Sequence, residues 1–79
     1  MQEFLVNLSS VEDIKAFVVL ATTQPFEVYV ESGTRKVSAK SFMGMFSLDY
    51  AGPVRVTAQC EKDVWDSFSA AAERFRVPA

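Results

Sequence analysis

The 79-residue chain contains no histidine. That excludes, within this chain, an imidazole general base, a Ser–His or Cys–His nucleophile pair and any imidazole metal site. Cysteine is nearly absent too. Cys60 stands alone, which rules out an internal disulfide and fits a reducing compartment. One thiol among scattered carboxylates does not make a zinc site, so neither a metal nor another cofactor is expected. No apolar run approaches the ~18 residues of a membrane span. The N-terminal MQEFLVNL lacks the charged and apolar regions of a signal peptide. A basic excess is also missing: the net charge is −2, which argues against a nucleic-acid partner. The expectation is a cytoplasmic protein that meets neither membrane nor nucleic acid.

What is present reads as one small globular domain covering residues 1–79. Hydrophobic residues make up 49% and charged residues 23% of the chain, proportions that separate it from disordered sequences. A chain of this size buries only ~60% of its unfolded surface, so every core residue matters to stability.

Strand and helix periods alternate along the sequence. Phe4, Val6 and Leu8 share one side of an alternating run from Glu3, with Glu3 and Asn7 on the other and Leu5 as an apolar exception. Ser9–Glu12 and Ser10–Asp13 both have capping-box spacing. Val11, Ile14, Phe17, Val18 and Ala21 then predict a helix over residues 10–22, ended by Thr22-Thr23 and Pro25. Phe26 to Glu31 and Arg35 to Lys40 alternate on either side of Ser32-Gly33-Thr34, which predicts an antiparallel hairpin. Lys36 and Lys40 share a face of its second strand and read as solvated.

Lys40 to Asp49 reads KSFMGMFSLD, and its simplest reading is a short helix capped by Ser41 and ending near Phe46. After the Gly52-Pro53 loop, Val54, Val56, Ala58 and Cys60 alternate with Arg55, Thr57 and Gln59, a fourth strand in which Cys60 packs as a small core residue. Glu61 to Arg76 predicts a last helix, with Val64, Phe68, Ala71 and Phe75 as its stripe and Trp65 and Ala72 flanking; Pro78 closes the chain. Trp65 and Tyr29 read as packing residues rather than ligand contacts. The order β-α-β-β-α-β-α implies an α+β fold, an open-faced two-layer sandwich with a four-stranded antiparallel sheet covered on one face by helices.

Lys40-Ser41-Phe42-Met43-Gly44-Met45-Phe46-Ser47-Leu48 resembles the Lys-Ser-Ile-Met-Gly-Val-Met-Ser-Leu segment of HPr, the histidine-containing phosphocarrier protein of the bacterial sugar phosphotransferase system. The departures, at Phe42, Met45 and Phe46, all keep an apolar residue. Element order and length agree with that family as well. In the family the serine of this segment is a regulatory phosphorylation site and the apolar residues after it form a docking patch. The resemblance therefore implies Ser41 as the regulatory candidate and Phe42, Met43, Met45 and Phe46 as partner-binding residues.

The family's phosphoryl-carrying histidine, in a Gly-Leu/Ile-His-Ala-Arg-Pro motif before the first helix, has no counterpart here. An ungapped alignment puts its position on Lys15. Alignment back from the second strand puts it on Ser10, with Glu12 at the arginine position, and leaves the helix N-terminus where the cap signal puts it. The arginine is replaced by Phe17 in the first alignment and by Glu12 in the second. A glutamate repels a phosphate rather than clamping it.

The resemblance thus implies a non-catalytic HPr-like protein, not an enzyme, that binds a protein partner such as an HPr serine kinase or a transcriptional regulator and is switched at Ser41. Two alternatives remain open at this point: a small structural or ligand-binding α+β module that shares only the architecture, and a working phosphocarrier.

Overall fold

The computed structural model describes residues 2–77; the closing Pro78 expected from the sequence lies outside the described residues. Four strands, β1 (Gln2–Val6), β2 (Val28–Ser32), β3 (Arg35–Ser38) and β4 (Val54–Ala58), form one antiparallel sheet in the order β1-β4-β2-β3. Three α-helices, α1 (Val11–Thr22), α2 (Phe42–Phe46) and α3 (Lys62–Ala71), are followed by a 3₁₀ turn at Glu73–Phe75. The element order and the open-faced two-layer sandwich are those expected from the sequence.

The alternating strand residues explain the layering. Phe4, Val6, Val28, Val30, Val54, Val56 and Ala58 point to one side and are buried with Ile14, Phe17 and Val18 of α1 and Phe68 of α3. The remaining strand positions form a second, uncovered face, where Leu5 is exposed beside Arg55 in the strand register. An aromatic cluster sits at the centre of the core. Phe4 packs on Trp65 at a centroid distance of 4.9 Å and on Phe68 at 5.9 Å, while Phe17 meets Phe68 and Phe75. Such pairs add ~0.5–1.5 kcal/mol each beyond their area burial.

The hairpin forms as expected. Ser32 pairs with Arg35 across a two-residue loop, and Gly33 has φ 61. A glycine at positive φ in the first loop position fits a type II′ turn, whose twist matches the flanking strands.

Several expectations need correction. Val11 is exposed and does not belong to the helix stripe, which is Ile14, Phe17, Val18 and Ala21. Thr57, on the strand side that should meet solvent, is buried, and Cys60 is only half-buried. The last helix ends at Ala71, and its buried stripe is Trp65, Phe68 and Ser69, with Ala71 exposed and Val64 half-buried. Turning the helix this way buries the largest ring.

The segment after the 3₁₀ turn joins the edge of β1. Asn7 N–H donates to the Phe75 carbonyl at 2.8 Å and Val77 N–H to the Leu5 carbonyl at 3.0 Å, so part of that edge is paired. Among the described residues, no helix is long and apolar enough to cross a membrane.

Candidate functional site

Ser41 caps α2. Its backbone is extended, and its Oγ accepts from the Gly44 N–H at 3.1 Å, satisfying one of the unpaired donors of the first turn. The hydroxyl-bearing residue itself is exposed. Behind it, Gly44 lies close to β3: a Cβ there would stand 3.2 Å from Val37 Cβ and 3.4 Å from Ser41 Oγ. The missing side chain lets this short helix lie close against the strand.

The four apolar residues of α2 divide into two groups. Met45 is fully buried, whereas Met43 is 84% exposed and Phe42 and Phe46 are each more than 40% exposed. Met45 is therefore a core residue and leaves the partner-binding set. The reason is helical geometry: one position in a five-residue helix points straight at the sheet while its neighbours turn outward. Phe42 and Phe46, four residues apart, stack at 6.4 Å with nearly parallel rings. Together with Met43 they form an exposed apolar patch directly after the capping serine.

The frame beneath the patch is polar and fixed. Tyr50 Oη donates to the Met45 carbonyl at 2.5 Å, and Ser47 Oγ donates to the Gly44 carbonyl at 2.6 Å. Arg35 reaches Ser47 Oγ at 3.0 Å, tying α2 to the first residue of β3. Burial pushes the Tyr50 phenol up to about 12. Lys40, expected to be solvated, instead donates its ammonium to the Gln24 carbonyl just past the C-terminus of α1, where a cation is favoured. Lys36 lies over the Tyr29 ring at 4.7 Å.

At the other candidate position, Ser10 caps α1 by accepting from the Asp13 N–H at 3.1 Å. Asp13 in turn accepts from both the N–H and the hydroxyl of Ser9. The Ser10–Asp13 register is thus the one that forms, and Ser9–Glu12 is not used. Lys15 lies one turn further along α1 and is exposed, whereas Phe17 is fully buried. Neither Ser10 nor Lys15 is a nucleophile of the imidazole kind.

No family model matches the sequence, and no curated protein does. Solved structures do. HPr-C-His from Thermoanaerobacter tengcongensis superposes with a TM-score of 0.72 at 22% identity, over 92% of both chains. A phosphocarrier protein HPr from Bacillus anthracis str. Ames superposes with a TM-score of 0.67 at 19% identity, over 87% of this chain and 93% of that one. The chain has the HPr fold. Within the HPr fold, the segment Lys40–Leu48 carries the sequence resemblance, and it is also where the exposed apolar residues of α2 gather.

Proposed function

We propose that this chain is a member of the HPr family that acts by binding a protein partner and does not carry phosphohistidine. The observation behind the reading is the division of α2: Met45 anchors the helix in the core, while Phe42, Met43 and Phe46 stay exposed beside the Ser41 hydroxyl. Methionine and phenylalanine adapt to varied apolar partner surfaces. The lack of any histidine supports the second half of the proposal, since the carrier chemistry needs an imidazole nucleophile.

Ser41 is the switch in this reading. A phosphate on its exposed hydroxyl would set a charge approaching −2 beside the apolar patch and oppose docking there. The partner is a protein of the same cytoplasmic system, an HPr serine kinase or a transcriptional regulator.

The test is incubation with an HPr serine kinase and ATP, read by mass spectrometry. One phosphate, lost in Ser41→Ala, is the expected result; no phosphate on Ser41 removes the switch and leaves only the patch. A parallel incubation with phosphoenolpyruvate and the general phosphotransferase enzyme is expected to leave the chain unmodified. Phosphate uptake there would overturn the reading of a chain that does not carry the group.

A further inference from the structure

A recess of about 500 Å³ lies where β2 begins and β4 ends, lined by Phe26, Glu27, Tyr29, Lys36, Thr57, Ala58 and Gln59; Tyr29, Lys36 and Thr57 belong to the uncovered face, whereas Phe26 meets Phe68 of the core edge-on. Its size falls in the ~300–1,000 Å³ range of small-molecule sites. Its floor is Thr57, only 2% exposed although it lies on the face without helices. Among the described residues no polar side-chain atom is both fully enclosed and unpartnered.

The charges on the rim select the ligand. Lys36 and Glu27 contribute one cation and one anion, both from exposed side chains. The Lys36 ammonium already stands over the Tyr29 ring at 4.7 Å, so its position relative to the aromatic wall is set. A phosphate or other multiply charged anion would meet the Glu27 carboxylate. A simple amine would meet the lysine. A small molecule carrying one carboxylate and one ammonium is complementary to both. Phe26 and Tyr29 supply an apolar and aromatic wall, and the exposed Gln59 amide supplies further hydrogen-bonding groups.

We infer that this recess binds a free α-amino acid with an apolar side chain. Its carboxylate would pair with Lys36, its ammonium with Glu27, and its side chain would lie against Tyr29 and Phe26. An internal residue of a protein chain lacks both charges, which is why the free amino acid fits better than a docked peptide. The inference uses none of the residues of the α2 patch, so the two proposals stand or fall separately.

Titration of the isotope-labelled full chain with L-phenylalanine, followed by amide chemical shifts, tests it. Saturable shifts are expected at Tyr29, Lys36, Thr57 and Gln59, and none along Phe42–Phe46. Phenethylamine, which lacks the carboxylate, and hydrocinnamate, which lacks the ammonium, should each bind about tenfold more weakly or worse. Glu27→Gln and Lys36→Gln, both at exposed positions, should each weaken L-phenylalanine about tenfold while leaving the spectrum dispersed. The inference is overturned by absence of saturable shifts at these four residues, by equal affinity for the two single-charge analogues and the amino acid, or by inorganic phosphate competing with L-phenylalanine.

Discussion

The backbone N–H of Gly44 donates to Ser41 Oγ across 3.1 Å. The glycine is held in this place from the other side as well, because a Cβ on it would stand 3.2 Å from Val37 Cβ. Alanine would raise helix propensity by about 1 kcal/mol, but Val37 Cβ hangs directly on a strand paired into β2 and cannot rotate away. Overpacking of this kind costs about 1–3 kcal/mol. Gly44→Ala is therefore expected to lower stability by about 1 kcal/mol net, measured by urea unfolding. Gly52→Ala, where nothing lies within 4 Å, is the control and should stay within about 0.5 kcal/mol of the parent.

Met43 and Met45 lie two residues apart and should behave oppositely. Met45 has no solvent exposure, and Met43 is 84% exposed. Met45→Ala removes a core side chain and leaves a cavity, at a cost of about 2–5 kcal/mol. In a domain this small that is a large part of the total stability. Met43→Ala should change stability by less than about 0.5 kcal/mol while reducing binding to the partner proposed for the patch. Urea unfolding of the two variants separates these roles. A loss at Met43 comparable to that at Met45 would place both in the core.

Tyr50 gives the protein a weakness at alkaline pH. Its phenol, ordinarily near 10.0, is pushed up to about 12 by burial, with its hydroxyl donating to the Met45 carbonyl. Between those values the unfolded chain has released a proton that the folded chain still holds, so stability falls as pH rises from about 10 to about 12. Below pH 10 this group contributes no slope. The midpoint of urea unfolding, followed against pH, should show the fall, and Tyr50→Phe should flatten it. The comparison separates the phenol from Cys60, whose thiol is also pushed up, first by burial and then by Glu61 and Asp63.

The layers of this fold were legible because its strands carry a clean two-residue period: Phe4 with Val6, Val28 with Val30 and Val54 with Val56 all turn inward. The α2 segment was legible as a capped helix but not as a surface. Five residues are too few for a period to show that Met45 faces the core and Met43 faces water. The burial of Thr57 is hidden in the sequence for a different reason. The register places it between Glu3 and Tyr29, and cross-strand neighbours cover it without any helix above. That cover also hid the recess, since Tyr29 and Lys36 come together only through strand pairing. The C-terminal end was hidden by local propensity: Ala70-Ala71-Ala72-Glu73-Arg74 favours a continuing helix, yet the chain turns at Ala72 and pairs with β1.

Arg76 is what fastens that return. Its guanidinium donates to Ser69 Oγ at 2.8 Å and lies over the Phe4 ring at 5.1 Å, while its backbone bridges Val6. One side chain thus links the end of α3 to the edge strand. The hydrogen bond is worth about 1 kcal/mol net, and a cation over an aromatic face adds about 0.5–1 kcal/mol at a partly exposed site. Arg76→Ala should therefore cost about 1–2 kcal/mol. Arg76→Lys should recover only part of it, because an ammonium cannot both stack on Phe4 and present a planar donor to Ser69. Hydrogen exchange gives a more specific readout than the melting temperature. The Asn7 and Val77 amides, which carry the pairing between β1 and the C-terminal segment, should lose protection in Arg76→Ala before the amides of β4 do. Equal loss across the whole sheet would mean that Arg76 supports the core generally and does not fasten this edge.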